Sequence, residues 1–232
     1  MSHELEIRYR FDLPDGTRKH VHLKFSAAEF RLLNATPAEP PFWTELKFSQ
    51  CANCPLNPAE HKYCPAALQM APVIDPLKDL VSFDTVGVTV LQADRKIHAE
   101  TSAQQALSSV LGLIMATAGC PWTARLRPMA RFHLPFANEA ETLYRTVCSF
   151  LLARELIGAG GSHGFAALKE LYENLHIVNR DMARRLGAAT RTDPARNAMA
   201  LLDSYTALLP AALESSLEEL KPLFDAWRGS QI

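Results

Sequence analysis

The sequence has no excess of charge of either sign. Its 232 residues include 24 lysines and arginines against 25 aspartates and glutamates, so the formal net charge is -1. A chain this close to neutrality has no long-range field that could hold nucleic acid or an anionic membrane surface. We therefore expect no membrane partner, and nucleic-acid binding would need a local basic patch.

Long hydrophobic runs are also missing. The longest apolar stretch covers residues 110–118, far fewer than the roughly 20 residues that span a bilayer. The first residues, MSHELEIRYRFDL, alternate charged and apolar side chains and contain no apolar segment typical of a secretory signal. These features predict a cytoplasmic protein.

Alternating apolar and charged residues predict strands in the first part of the chain. Residues 4–11 and 18–25 alternate with a period of two, and the turn residues PDGT lie between them, so we predict a β-hairpin. The same pattern, or a run of β-branched residues, predicts further strands over residues 43–48, 83–91 and 96–101.

The hydrophobic period lengthens to that of helices from Ser102 onward. Residues 102–118 are apolar on nearly every side, which predicts a central, buried helix. Further helices are predicted to begin at Asn138 and at Asp193, with Pro210 breaking or kinking the last one. Leucines at 3–4 spacing in this part of the chain indicate a helical bundle or a dimer interface.

These patterns predict an α+β fold. An N-terminal antiparallel β-sheet packs on the buried central helix, and a C-terminal helical bundle follows. We predict that residues 1–136 form an α+β domain with the cysteine cluster and that residues 137–232 form a helical region packed on it. The alternative is that both parts form one single domain.

Cysteines are few, but three of the five lie within fourteen residues. The segment KFSQCANCPLNPAEHKYCP contains Cys51, Cys54 and Cys64. In a reducing compartment, clustered cysteines are more often metal ligands or redox groups than structural disulfides. A C-x2-C spacing lets two thiolates contact one metal ion, and structural zinc takes four ligands. The sequence therefore predicts a metal site that needs a fourth ligand.

Two residues are candidates for that fourth ligand. His61 is close in sequence, whereas Cys120 follows Gly119 at the predicted end of the buried helix. We favour Cys120, because Cys54, Cys64 and Cys120 are each followed by proline, which stiffens the exit from a ligand loop. The predicted metal ligands are therefore Cys51, Cys54, Cys64 and Cys120. Cys148 lies in the middle of a predicted helix and is interpreted as an ordinary buried thiol.

The cysteines have other interpretations. The favoured cofactor is zinc, and the alternative is an iron-sulfur cluster held by the same four sulfurs. Without any metal, the thiols would pack in a loop, form a disulfide or act as redox groups, with Cys64 activated by the helix that begins there.

Arginines occur in two further places. The run RLRPMARFHLPF contains Arg125, Arg127, Arg131 and His133, which could bind an anionic ligand; we favour a packed loop whose arginines pair with carboxylates or carbonyls. A second group of arginines lies near the C-terminal end. Their spacing favours a solvated helix face over a nucleic-acid patch; they are at positions 180, 184, 185, 191 and 196.

Several motifs resemble those of a known family. WTELKFSQCANCPL, YCP, AGCP and RPMARFHLPF, in that order across residues 43–136, are similar to an uncharacterised family of bacterial proteins described only as a domain of unknown function. The resemblance implies a bacterial source and implies that the cysteine elements belong together. It implies no activity, cofactor or catalytic residue.

The functional expectation rests on the cysteine cluster. We recognise no Ser/His/Asp or metalloprotease signature, which favours a non-enzymatic role. The leading hypothesis is a cytoplasmic binding or regulatory protein with a structural zinc site. The alternative is a redox-active enzyme or sensor that uses the same cysteines for an iron-sulfur cluster or for disulfide exchange. Its partner is either an unknown protein or a second copy associating through the C-terminal helices.

Overall fold

The protein has an α+β fold, as the sequence predicts. The computed structural model describes residues 4–158, 164–189 and 193–227. A four-stranded antiparallel sheet has the strand order β2-β1-β3-β4. Its strands are β1 (Glu4–Asp12), β2 (Arg18–Ser26), β3 (Thr85–Leu91) and β4 (Lys96–Ser102). The helices are α1 (Pro65–Ile74), α2 (Ala103–Thr117), α3 (Arg127–Arg131), α4 (Glu139–Leu156), α5 (Ala166–Ala189) and α6 (Pro194–Leu220).

The N-terminal hairpin forms in the predicted register. Tyr9 lies opposite Val21 on β2 and opposite Val90 on β3, so apolar side chains of three strands share one face of the sheet. Gly16 adopts a φ of +81°, which the tight turn between the strands requires and which glycine adopts without steric cost. The opposite face carries the charged residues of the alternating pattern.

Helix α2 is the central helix of the fold. The Ser102 side chain caps it by accepting a hydrogen bond from the Gln105 backbone N–H at 3.3 Å. Most of its residues are buried, as the apolar pattern predicts. One core joins the sheet, α1 and α2, and it also includes Val178 of α5 and Met199 of α6. A second apolar cluster is formed by residues of α4, α5 and α6. The division of the chain near residue 136 stays a prediction.

The predicted strand over residues 43–48 is wrong. Phe42–Thr44 forms a short 3-10 helix, and only Glu45 makes an isolated bridge, with Tyr63. The reason is long-range: three backbone carbonyls of this segment accept hydrogen bonds from Arg185 of α5 instead of pairing in a sheet. An alternating pattern cannot show that a distant side chain competes for the backbone.

The C-terminal helices confirm most of the predicted boundaries. Helix α4 begins with a capping box in which Asn138 and Glu141 each accept a hydrogen bond from the other's backbone N–H. Helix α6 begins at Pro194, as predicted, but it continues through Pro210. The helix does not break there, because Leu209 and Leu213 on either side are buried in the second apolar cluster. The alternative, a kink at Pro210, stays a prediction. In the described ranges, no helix is long and apolar enough to cross a membrane.

Candidate functional site

Four cysteines from three separate segments border one small cavity. Cys51, Cys54, Cys64 and Cys120 line it together with Trp122, Val178, Met182 and Arg185. Its volume is about 20 Å³. The cavity lies where the loop before α1, the start of α1, the segment after α2 and one face of α5 meet. The four residues predicted as metal ligands are thus neighbours in the fold.

The end of α2 directs Cys120 toward the other cysteines. Gly119 adopts a φ of +101° directly after the helix, as a helix-terminating glycine does. A Cβ atom built on Gly119 would lie 3.8 Å from the Cβ of Pro65, at the start of α1. The chain therefore turns sharply at a glycine and passes close to the residue that follows Cys64.

The C-x2-C segment is held against α5 by hydrogen bonds. Cys54 N–H donates to the Cys51 carbonyl at 3.0 Å, which closes a turn. The Ala52 N–H donates to the Asp181 carboxylate at 2.8 Å. The Asn53 side-chain amide donates to the Asn174 carbonyl at 3.1 Å, and the Trp122 indole N–H donates to the Asn53 carbonyl at 2.8 Å. These contacts fix the loop on the helix without using the thiols.

Arg185 places a positive charge beside the thiols. Its side chain is 1% exposed, and it donates to the carbonyls of Trp43 at 2.6 Å, Glu45 at 2.7 Å and Leu46 at 3.2 Å. Its Nε atom is buried and has no hydrogen-bond partner among the described residues. Burial lowers the pKa of Arg185, and the charges that Cys64, Cys51 and Cys54 carry when deprotonated act in the opposite direction.

Burial favours the protonated form of Cys51 and Cys64. It raises the pKa of Cys51 to about 12, and repulsion from Cys64 and Cys120 adds to the shift. Burial also raises the pKa of Cys64, although the nearby Arg185 charge opposes this. Neutral buried thiols are poor nucleophiles and inert toward disulfide exchange. All five cysteines are free thiols.

The thiols border the cavity without forming a ready ligand set. Among the residues the structure describes, no group of three or more His, Cys, Asp or Glu side chains is arranged so that it could hold a metal ion. The Cys51 sulfur instead lies 4.0 Å from the Val178 carbonyl oxygen. Metal binding therefore requires the cysteine side chains to rearrange.

Two residues that the sequence singles out, His61 and Cys148, lie outside this cavity. His61 is exposed and does not line the cavity, so placement favours Cys120 as the neighbour of the other three cysteines. Cys148 is exposed on α4, and its interpretation as a buried thiol is wrong. The residues of α4 that face the second apolar cluster are Leu143 and Val147, and Cys148 follows them on the solvent side.

A family comparison covers almost the whole chain. Residues 7–225 match the model of a family described as a domain of unknown function, DUF6901. The chain belongs to the DUF6901 family. The match confirms the resemblance noted for residues 43–136 and extends well beyond them. No curated protein and no solved structure shows significant similarity to this chain.

Sequence patterns missed two buried charged residues in this DUF6901 chain. Arg185 was expected on a solvated face, yet it is buried, and Asp181 is fully buried as well. Arg180 and Arg184 are on the exposed side and contact Asp181; Arg191 lies outside the described residues. The sequence does contain a sign that Arg185 is buried. Arg185 follows Val178 by seven residues, or about two helical turns, and so lies on the apolar side of α5.

The arginine-rich segment before α4 is divided between two environments. Arg125 and Arg131 are exposed, whereas His133 is buried. The Tyr9 hydroxyl lies 2.5 Å from the His133 Nε2 atom. Burial, assisted by the charge of Arg145, lowers the pKa of His133 to about 3, so this imidazole is neutral at physiological pH. The predicted loop is wrong for the first part of this segment, which forms a 3-10 helix, Thr123–Leu126, followed by α3. The buried His133 comes shortly after these helices.

Proposed function

We propose that this protein is a cytoplasmic binding or regulatory protein in which Cys51, Cys54, Cys64 and Cys120 hold a structural zinc ion. The observation that supports the proposal is that all four thiols border one cavity. Four cysteines around one ion are a complete ligand set for tetrahedral structural zinc, which leaves no open position for a substrate.

Charge and size both favour a single ion. Four thiolates around one Zn²⁺ carry a net negative charge, and the buried guanidinium of Arg185 lies where it would offset that charge. A volume of about 20 Å³ is close to that needed for one water molecule. An iron-sulfur cluster, with several iron and sulfide atoms, needs more room than this cavity offers.

The redox alternative has less support. Disulfide exchange requires a thiolate at neutral pH, and burial raises the pKa of both Cys51 and Cys64. A metal ion can still bind, because its own charge displaces the thiol protons. In the proposed role, zinc joins the cysteine loop to the ends of α1 and α2, so the free energy of metal binding also stabilises the fold.

Metal analysis of purified protein tests this function. Protein prepared without chelator should contain roughly one zinc per chain, and serine substitution at any of the four cysteines should remove most of it. Cys148→Ser and His61→Ala are matched controls and should keep their zinc, because both residues are exposed.

Three outcomes would contradict the proposal. Stoichiometric iron with visible absorption would support the redox alternative. Full metal content in Cys120→Ser, together with loss in His61→Ala, would assign the fourth position to His61. Absence of metal from the wild-type protein would remove the site.

A second proposal concerns the partner, which we infer to be another copy of this chain. The end of α4 presents apolar side chains to solvent: Leu152, Leu156 and Ile157 are exposed, Leu156 by 77%. Leu208 of α6 is exposed as well. Leu152 and Leu156 are four residues apart on one helix and so lie on the same face of α4, and exposed apolar surface is typical of protein interaction sites.

Sedimentation velocity tests self-association. The wild-type protein should form a dimer, and Leu152→Glu combined with Leu156→Glu should leave it monomeric because charged side chains resist burial in an interface. Leu33→Glu, at another exposed leucine far from α4 in the chain, should not change the dimer. A wild-type protein that stays monomeric at high concentration would contradict this proposal.

A further inference from the structure

A second, larger cavity lies among the helices. It has a volume of about 190 Å³ and is lined by α2, α3, α4, α5, α6 and the segment between α3 and α4. For comparison, an engineered apolar cavity of about 150 Å³ takes up benzene. No cysteine is among the described residues that line this cavity, so its function is independent of the metal site. Much of its wall is apolar, formed by Leu113, Met129, Leu134, Phe136 and Leu202.

A small number of polar groups face the same space. Ser109 and His133 line the cavity, and both contact the hydroxyl of Tyr9, Ser109 at 3.0 Å. A pocket with apolar walls and a few converging polar groups is the usual form of a small-molecule site.

Arg145 gives this cavity its charge. Its guanidinium donates to the carbonyls of Met129 at 2.5 Å and Phe132 at 3.1 Å. Those carbonyls do not neutralise the charge. The charge of the Glu141 carboxylate opposes the lowering of the Arg145 pKa by burial, but Glu141 does not line the cavity. No described Asp or Glu lines the cavity. The only full charge among the described lining residues is therefore positive.

We propose that this cavity binds a small monocarboxylate with an aromatic or branched aliphatic body. The carboxylate would accept hydrogen bonds from Arg145, since a guanidinium pairs with carboxylates in a planar, charge-assisted geometry. The apolar body would lie against Met129, Leu134 and Leu202. A neighbouring cavity of about 140 Å³ shares Thr142 and Tyr205 with this lining and also includes Glu139.

Isothermal titration calorimetry of the purified full-length protein tests the proposal. The probes are benzoate, phenylacetate and octanoate, each beside its uncharged amide. At least one carboxylate should bind about tenfold more tightly than its amide, because only the carboxylate pairs with the guanidinium. Arg145→Met should abolish this preference and leave the amide affinity unchanged. Arg95→Met removes an exposed arginine outside the cavity and should retain the preference.

A second variant tests whether the ligand binds in this cavity, and it leaves the charge of Arg145 in place. Ala137→Leu adds volume at the cavity wall and should weaken the carboxylate and the amide alike, whereas Ala200→Leu, on an exposed position of α6, should not. The proposal is overturned if no carboxylate binds the wild-type protein, or if amides bind as tightly as carboxylates. It is also overturned if Ala137→Leu binds normally, and this variant decides the matter should Arg145→Met fail to fold.

Discussion

At the residue scale, Arg185 is the side chain on which the cysteine region most depends. It satisfies three backbone carbonyls of the segment over residues 43–46, and its charge lies beside the thiols. Removing it takes the guanidinium donor from the carbonyls of Trp43 and Leu46, each at a cost of about 1–3 kcal/mol, whereas the Glu45 carbonyl keeps the Phe48 N–H as a donor. The two functions explain why a charged residue occupies a buried position on α5.

We predict that Arg185→Met lowers the free energy of unfolding by about 3 kcal/mol or more. Urea denaturation of the purified protein measures this change. Arg184→Met is the matched control, because Arg184 is exposed and contacts Asp181 only from the solvent side; it should change stability by at most about 1 kcal/mol. Equal stabilities for the two variants would show that the Arg185 contacts contribute little.

His133 gives the fold a sensitivity to acid. Its pKa is about 3 in the folded protein and 6.5 for an ordinary histidine, so between these values the unfolded chain binds a proton that the folded chain excludes. Stability from this residue is present above pH 6.5 and falls as the pH is lowered, by up to about 1.4 kcal/mol per pH unit.

We predict that His133→Gln weakens the pH dependence of unfolding between pH 7 and about 4, although it lowers stability at pH 7 by removing the contact with Tyr9. Chemical denaturation at a series of pH values measures the slope. His61→Gln, at an exposed position, should keep the wild-type slope. An unchanged slope in His133→Gln would mean that the buried imidazole is not the source of the acid sensitivity.

At the element scale, local signals predict most of the fold and long-range contacts explain the misses. The N-terminal hairpin, the buried α2 and the start of α4 follow from alternation, apolar periodicity and a capping box, which act over a few residues. The segment over residues 43–48 departs from its pattern because Arg185, far along the chain, binds its carbonyls.

The candidate site also combines features that the sequence predicts with features that it does not. The repeated Cys-Pro pairs and Gly119 carry local information that brings Cys120 toward the cysteine loop. The positions of Arg185 and Arg145 depend on how helices pack, and helix packing cannot be obtained from one sequence by periodicity alone. For the same reason, the sequence did not predict the larger cavity, since its walls come from several helices that are distant in the chain.

The proline inside helix α6 allows a test of helix stability. Pro210 lies in the helix interior, where it has no N–H to donate and clashes with the preceding turn. We predict that Pro210→Ala stabilises the protein by about 1 kcal/mol or more, measured as a rise in the unfolding midpoint. Pro194→Ala in the first turn of the same helix should give no gain, because proline is favourable there. A loss of stability in Pro210→Ala would contradict this account.

At the scale of the whole molecule, the cysteine site joins parts of the chain that are distant in sequence. The loop before α1, the start of α1 and the segment after α2 meet there against α5. The sheet core also includes residues of α5 and α6. A metal ion at this point would connect the N-terminal layer with the helical region, which is a structural role and needs no substrate.

The most direct test of the central claim is X-ray absorption at the zinc edge of the purified protein. Four sulfur neighbours at about 2.3 Å are predicted, since all four ligands are cysteines. Cys120→Ser should lose a sulfur neighbour or the zinc itself, while Cys148→Ser should give the wild-type spectrum. A nitrogen neighbour at about 2.0–2.1 Å in place of one sulfur, or iron in place of zinc, would contradict the account.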